Sequence, residues 1–441
     1  MLLHASSAEP VHASAATPIS NTVSKPLREV HVPASCPPSK RILFLIGRGG
    51  GGHKASARAL LAAARDQGLP WADDVEMIDV GYLIESFVSG KPPRTSGFDG
   101  DELYNWLMKR GFYRLAALSG PVAQLGSALI YSKIMRGLVR FWREKAPRLV
   151  CSFVPFFNDH FRTSLLRAGS EASLFTVVTD FQSNKAHMWI PKYDPATARR
   201  HIIVAGSADL QRQCRELGYP PENVLNTSGM VLHPAFCGGA DNEAVALKDG
   251  CEKQPRALIF FGGFAPNKTR SLVKRLRASH PELELVVLCG GNESLKGRLV
   301  RDGQCAIVEG MVPPGVVARH MRESTFVIGK PGPGAVSEAA ACKTPFVMQH
   351  RSVMAQEKCV LQWVDTNGLG VIVNRLSRMP RDVCERAIRC TKAIDDLAPN
   401  RAVLEVVAAC GSRLLAVPEP MSTVDSTTTS QSSAGESDAS S

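Results

Sequence analysis

Long apolar runs are missing from this 441-residue sequence. None approaches the roughly 18 consecutive residues that a membrane-spanning helix needs, so any membrane contact is expected at a surface. Paired cysteines are missing as well. Twelve stand singly from Cys36 to Cys410, with no C-x-x-C pair and no His/Cys cluster at zinc spacing. That distribution argues against a disulfide framework and against structural zinc. Cys151 and Cys289 fall inside apolar runs, where a free thiol behaves as a small hydrophobe. Aromatics are scarce at 6%, and no motif that reads DNA or RNA is present, so nucleic acid is not expected as a partner. Acidic residues are outnumbered, 41 Asp and Glu against 52 Lys and Arg, and the formal net charge is +11. A basic balance of that size favours anionic partners, either a phosphorylated substrate or an anionic lipid surface.

The length calls for more than one domain. Residues 1–39 are rich in Ala, Ser and Pro and read as a disordered or targeting segment; they carry few acids, as a transit peptide would, but only one arginine, Arg28. The Ser/Thr-rich stretch 418–441 reads as a disordered tail. Between them, short apolar runs alternate with helical patterns. Strands are expected at 41–47, 75–80, 149–155, 174–180, 201–205 and 224–228, then at 257–263, 283–289, 305–309, 325–329, 345–349 and 370–373. Helices are expected after most of them, at 54–66, 208–217, 268–279 and 316–322 among others. Continuous apolar strands separated by helices predict parallel sheets covered on both faces. The pattern restarts after a polar break, which places a first Rossmann-like domain at 40–236, a linker at 237–255 and a second Rossmann-like domain at 256–417. Helical patterns at 381–397 and 401–415 close the second half, the last of them packing back on the first. The fold class is α/β, two doubly wound domains facing across a cleft, and ligands of such folds bind at the cleft.

Two segments carry chemistry. The first strand ends in Gly47-Arg48-Gly49-Gly50-Gly51-Gly52-His53-Lys54, and a helix follows. Glycines let backbone approach a ligand, and the helix N-terminus favours anions. Gly47, Gly49 and Gly52 satisfy the dinucleotide fingerprint G-x-G-x-x-G, yet four consecutive glycines meet it trivially and the acid Asp79 comes late for it. His53 begins the helix at the sheet edge, where a neutral imidazole could accept a hydroxyl proton, or merely cap the helix or touch phosphate. The second segment is Gly329-Lys330-Pro331-Gly332-Pro333-Gly334-Ala335-Val336-Ser337-Glu338. A strand enters a Pro/Gly loop, a helix starts near Gly334 with N–H groups for a diphosphate, and Glu338 could accept from a ribose diol. Downstream, Gln356 and Glu357 pair an amide with a carboxylate, a combination suited to a sugar's hydroxyls.

Gly50 to Ala57, Val178-Thr179-Asp180-Phe181, Gly329 to Ala339 and Gln356-Glu357 occur in order over about 40–375. Together they resemble the monogalactosyldiacylglycerol synthase family, within the wider group that contains the lipid II-forming GlcNAc transferase. The resemblance implies a GT-B enzyme that moves a hexose, galactose favoured, from a UDP-sugar to the free hydroxyl of diacylglycerol with inversion. It also implies roles. His53, with Asp180 as the weaker candidate, would be the base. Ser337 and the turn Gly332-Pro333-Gly334 would face the diphosphate, Glu338 the ribose, and Gly51 and Gly52 would belong to the same binding site. Gln356 and Glu357 would hold the sugar, Gly263 and Phe264 would border the nucleotide, and Val312 would meet the uracil. The chain departs from the family at Gly47-Arg48-Gly49, where Ser/Asp-Thr is common, and at Cys359-Val360, near which an Asn often stands.

Asp99-Gly100-Asp101 is a formal D-x-D but lies in a polar loop, and no metal or other cofactor is expected, because helix N-termini and cations can hold departing UDP. The stretch 133–145 is basic and amphipathic, with Ile134, Leu138, Phe141 and Trp142 among cations. It is read either as a helix packed on the first sheet or as a peripheral contact with an anionic membrane. The loop at 91–101 and a helix at 103–118 would complete an acceptor entry. Location is expected at an intracellular membrane surface, a plastid envelope if 1–39 is a transit peptide. Competing readings are a UDP-GlcNAc-dependent transferase to a lipid or lipopolysaccharide, glucose transfer to diacylglycerol, a UDP-sugar 2-epimerase, and a non-enzymatic lipid- or nucleotide-binding module.

Overall fold

The computed structural model describes residues 42–47, 51–90, 131–182, 188–238, 254–351, 353–354 and 357–416. Strands β1 (Ile42–Ile46), β2 (Val75–Asp79), β3 (Leu149–Ser152), β4 (Ser173–Val177), β5 (His201–Ala205) and β6 (Val224–Asn226) form one sheet, in the order β2-β1-β3-β4-β5-β6. Strands β7 (Arg256–Phe260), β8 (Glu284–Leu288), β9 (Ile307–Glu309), β10 (Phe326–Gly329), β11 (Phe346–Gln349) and β12 (Gly370–Val373) form a second, in the order β12-β11-β10-β7-β8-β9. Every pairing is parallel. All twelve strands expected from the sequence are present. Several end early: the apolar runs 149–155, 174–180 and 257–263 leave the ladder after Ser152, Val177 and Phe260. Their last residues, still buried at Phe153, Val154 and Val178, turn into loops at the carboxyl edge.

The helices are α1 (Gly52–Asp66), α2 (Val80–Ser89), α3 (Tyr131–Lys145), α4 (Asn158–Ala168), α5 (Pro195–Ala198), α6 (Ala208–Glu216), α7 (Thr269–Ser279), α8 (Glu293–Asp302), α9 (Pro314–Arg322), α10 (Pro333–Ala341), α11 (Lys358–Thr366), α12 (Val383–Arg389), α13 (Thr391–Asp395) and α14 (Ala402–Ala416). The stretch 381–397, expected as one helix, is broken between α12 and α13 at Cys390. The expected loop 91–101, with its D-x-D, and the expected helix 103–118 lie outside the described residues, as do the two termini and the greater part of the 237–255 linker.

Strand periodicity decides which helices cover which face. In β1, Ile42, Phe44 and Ile46 point into a core with α1 and α14, while Leu43 and Leu45 point into one with α2, α3 and α4. The second sheet is sandwiched in the same way: Leu258 packs toward α9, α10 and α11, and Ala257 and Ile259 toward α7, α8 and α12. The amphipathic stretch 133–145 resolves here. Ile134, Leu138 and Trp142 are sealed against the first sheet, so the apolar stripe is core and the cationic face remains outside. Gly137 is required there, since a Cβ would stand 2.2 Å from the Phe87 ring of α2.

The last helix crosses back as expected. Val403, Val406, Val407, Cys410 and Leu414 of α14 complete the α1 face of the first sheet, and Arg148 donates to the Leu414 carbonyl at 2.7 Å. Phe181, Met230, Leu232 and Phe236 enter the core of the second half, so the two sheets are joined by apolar contact as well as by chain. Val406→Ala is expected to cost about 2–3 kcal/mol in denaturant unfolding. Leu404→Ala, at a side chain 39% exposed, should stay within about 0.5 kcal/mol.

Candidate active site

Each sheet has one place where the strand order reverses direction, between β1 and β3 in the first and between β7 and β10 in the second. Loops leaving the carboxyl ends of neighbouring strands diverge there and open a crevice. Both glycine-rich segments leave strands at those points. After β1, Gly51 caps α1 with no side-chain hydrogen bond, and the first turn leaves the N–H groups of Gly52, His53 and Lys54 without helical acceptors. After β10, Gly332 caps α10 and Pro333 takes its first position, so Gly334 and Ala335 present free N–H groups. A Cβ at Gly51, Gly52, Gly263 or Gly334 would meet no protein atom within 4 Å. Gly329 is different: its Cβ would lie 2.3 Å from the Phe260 carbonyl, so glycine there lets β10 pass close beside the end of β7.

Direct contacts bring His53 and Asp180 to one wall. The Trp189 indole stands edge-on to the His53 ring at 5.6 Å between centroids. Its Nε1–H donates to Asp180 Oδ2 at 2.8 Å. Asp180 lies three residues past the end of β4, and its charge is felt by Glu357 and Lys330 of the second half. Lys330 Nζ is 3.5 Å from Glu357 Oε1, and Glu357 is fixed by the Met354 N–H donating to Oε2 at 3.0 Å. The halves touch nearby, where Phe181 meets Trp363 edge-on at 5.1 Å.

Burial sets the protonation of this cluster. It pushes the Asp180 carboxyl up to about 6; Trp189 donation opposes the rise, the Glu357 carboxylate adds to it, and Lys330 lowers it. Burial alone lifts Glu338 to about 7 and depresses His53 to about 4. The His53 Nδ1 is enclosed and has no hydrogen-bond partner among the described residues. Ser337 is buried on α10 one residue before Glu338, which sits in the second turn rather than the first.

The remaining expected residues are less tightly grouped. Gly263 and Phe264 form a loop stitched to the end of β8, through Gly291 N–H to the Gly263 carbonyl at 2.9 Å and a bridge between Phe264 and Gly290. Val312 is half-buried in the loop after β9. Gln356 and Arg48 lie outside the described residues. Trp189 and Lys330 are the additions. Trp189 is one of five tryptophans, flanked by Met188 and Ile190 outside any motif, and Lys330 lies inside the second motif.

Two doubly wound parallel sheets whose carboxyl edges share one polar cluster define a two-domain α/β protein of the GT-B architecture. The comparisons agree with the family resemblance carried by the motifs. The chain is similar to the chloroplastic monogalactosyldiacylglycerol synthase of Spinacia oleracea, 25% identical over 372 residues, 78% of this chain and 66% of that enzyme. It is also similar to the processive diacylglycerol beta-glucosyltransferase of Bacillus cytotoxicus, 26% identical over 263 residues, 58% of this chain and 61% of that one. The chain thus spans somewhat under two thirds of the length of these two relatives. No family model matches. Among solved structures, it aligns with Acinetobacter baumannii MurG at a TM-score of 0.46 and 14% identity, covering 84% of this chain and 99% of that one. It aligns with an S. aureus MnaA–UDP co-structure at 0.49 and 16%, covering 86% and 98%.

The raised Glu338 carboxyl has a thermodynamic consequence. An acid whose folded pKa of about 7 exceeds its ordinary 4.5 contributes stability that is fully present below pH 4.5 and lost as pH rises through about 7. Glu338→Gln, which cannot ionise, should therefore stabilise the ligand-free protein at pH 8 by roughly 1–2 kcal/mol, after discounting for partial solvent contact. Chemical denaturation at pH 8 and at pH 5 checks this, and the gap should close at the lower pH.

Proposed function

We propose that the protein is an inverting hexosyltransferase that moves a sugar, galactose favoured, from a UDP-sugar to the free hydroxyl of diacylglycerol. The observation that carries the reading is the start of α10. One helix N-terminus offers the unbonded N–H groups of Gly334 and Ala335, with Ser337 behind them and a carboxylate, Glu338, that has no partner among the described residues. Donors for a diphosphate and an acceptor for a ribose diol therefore sit within two turns. Gly51, Gly52 and the free first turn of α1 would approach the same diphosphate from the other sheet, with Gly263, Phe264 and Val312 beside the nucleotide. Gln356 and Glu357 would hold the hexose, and Lys330 adds a cation next to Glu357.

Chemistry follows by one displacement. The acceptor hydroxyl gives up its proton to the wall formed by His53, Trp189 and Asp180, and its oxygen attacks C1 from the face opposite UDP. The C1–O bond to the diphosphate breaks, and the new linkage is β. Free helical N–H groups and Lys330 receive the charge that develops on UDP, so no metal is assigned to the step. Glucose is the second reading for the donor, because one relative carries a glucosyltransferase name.

The acceptor is a membrane lipid, and no helix among the described residues is long and apolar enough to cross a bilayer. Contact would be peripheral. Arg136, Arg140 and Arg143 of α3, with Arg167 of α4, line an open groove of about 730 Å³ beside Met135 and Val139. Each such cation near an anionic surface contributes about 1 kcal/mol.

Two outcomes are expected. Label from UDP-galactose enters a β-linked lipid when the protein is incubated with diacylglycerol in mixed vesicles, and Glu338→Ala raises KM for the donor about 10- to 100-fold by removing charge-assisted hydrogen bonds. No label in lipid from UDP-galactose or UDP-glucose would sink the assignment, and turnover of UDP-GlcNAc without any lipid would favour an epimerase. Arg136→Glu with Arg140→Glu should abolish co-sedimentation with phosphatidylglycerol vesicles while leaving UDP affinity intact.

A further inference from the structure

We propose that Asp180 is the group that takes the acceptor's proton, and that His53 serves the same hydroxyl as a hydrogen-bond donor through Nε2. The assignment rests on the hexosyltransferase reading above and goes beyond it by dividing the roles of the two residues.

A histidine that acts as a base through one nitrogen ends the step as an imidazolium with N–H on both. The second N–H then needs an acceptor, commonly a carboxylate or a backbone carbonyl, which also holds the neutral ring in the reactive tautomer. Among the described residues, His53 has no such partner. Its Nδ1 is enclosed without a hydrogen bond, and no carboxylate is paired with the ring among the described residues. Protonating His53 would strand a buried N–H and place a charge where burial already opposes one. In the alternative tautomer the proton is on Nε2 and the enclosed Nδ1 carries only a lone pair. Nε2 then meets substrate as a donor, with no lone pair to take a proton.

Asp180 has the opposite arrangement. Trp189 occupies Oδ2 and fixes the plane of the carboxylate, while Oδ1 has no hydrogen-bond partner among the described residues. The groups that face it are the charged Glu357 and Lys330 of the second half and the Cys359 thiol at the start of α11, which burial pushes up to about 11 and keeps neutral. Accepting a proton turns this carboxylate into a neutral carboxyl, which removes both its burial cost and its repulsion from Glu357. The surroundings that penalise a charged His53 therefore favour a protonated Asp180.

The step balances. The acceptor O–H bond breaks and the proton goes to Asp180 Oδ1. The freed electron pair forms the C1–O bond, and the pair of the C1–O(phosphate) bond leaves on UDP. Trp189 is a positioning residue, acting through the carboxylate it holds.

The test compares Asp180→Asn, His53→Gln and Trp189→Phe in the full chain. It measures kcat and KM for hexose transfer to diacylglycerol from pH 5 to 9, with UDP affinity by calorimetry as the check on folding. Asp180→Asn should lower kcat about 10²- to 10⁴-fold and erase the acid limb of the profile near pH 6, with UDP affinity within about threefold. His53→Gln, which keeps an N–H donor, should cost about three- to tenfold and keep that limb. Trp189→Phe should move the limb to higher pH, because the N–H that favours ionised Asp180 is gone. A loss of 10³-fold in His53→Gln beside a loss under tenfold in Asp180→Asn overturns the assignment, as does an acid limb that persists in Asp180→Asn. Wild-type protein that binds UDP but transfers no hexose fails the parent reading instead, and is told apart by that control.

Discussion

A parallel strand that is apolar on both faces has to be covered twice, and covering it twice dictates the rest of this molecule. Each strand must be followed by a helix that returns the chain to the starting edge, so all strands end at one edge and all outgoing loops gather there. Those loops are where backbone leaves the ladder and where polar side chains can stand without burying unpaired ladder groups. Two such sheets, joined through Phe181, Met230, Leu232 and Phe236, bring the carboxyl edges to a common cluster. His53, Asp180, Lys330 and Glu357 therefore meet although more than 300 residues separate the first from the last. Their company is a product of sheet construction, and the chemistry is built on loops that the core leaves free.

The fold was largely legible, because burial on both faces writes itself as continuous apolar runs. All twelve strands could be placed, and the overruns after Ser152 and Val177 share one cause. Phe153, Val154 and Val178 are as apolar as the strand residues before them, but they are buried by loops, and hydropathy cannot separate the two situations. The break at Cys390 leaves no mark in the sequence pattern, because the apolar spacing of α12 continues into α13. For the stretch 133–145 the sequence left the place of the apolar stripe open, and only the packing of Ile134, Leu138 and Trp142 put it in the core.

The site was legible in part. Motif residues on one turn, such as Gly332, Gly334 and Glu338, are neighbours because they are close in sequence, so their grouping could be read. The wall made by His53, Trp189 and Asp180 could not, since it depends on one indole reaching between loops of different strands. Protonation was hidden for the same reason. The elevated carboxyl of Asp180 comes from burial and from Glu357 across the site, while the depressed pKa of His53 comes from enclosure without a partner. Both are properties of surroundings assembled from distant segments.

The return of α14 to the first sheet has a consequence for how the chain is made. The first sheet is finished in sequence at Asn226, yet one face of it lacks Val403, Val406, Val407 and Leu414 until the end of the folded chain is synthesised. At about 5–20 residues per second, the intervening stretch takes roughly ten to thirty-five seconds on the ribosome. During that interval the α1 face of the nascent sheet is uncovered, and contacts of such long sequence separation form late. The half that is translated first is thus the half completed last, and a ribosome that stalls before residue 402 holds a sheet with one side still wanting its cover.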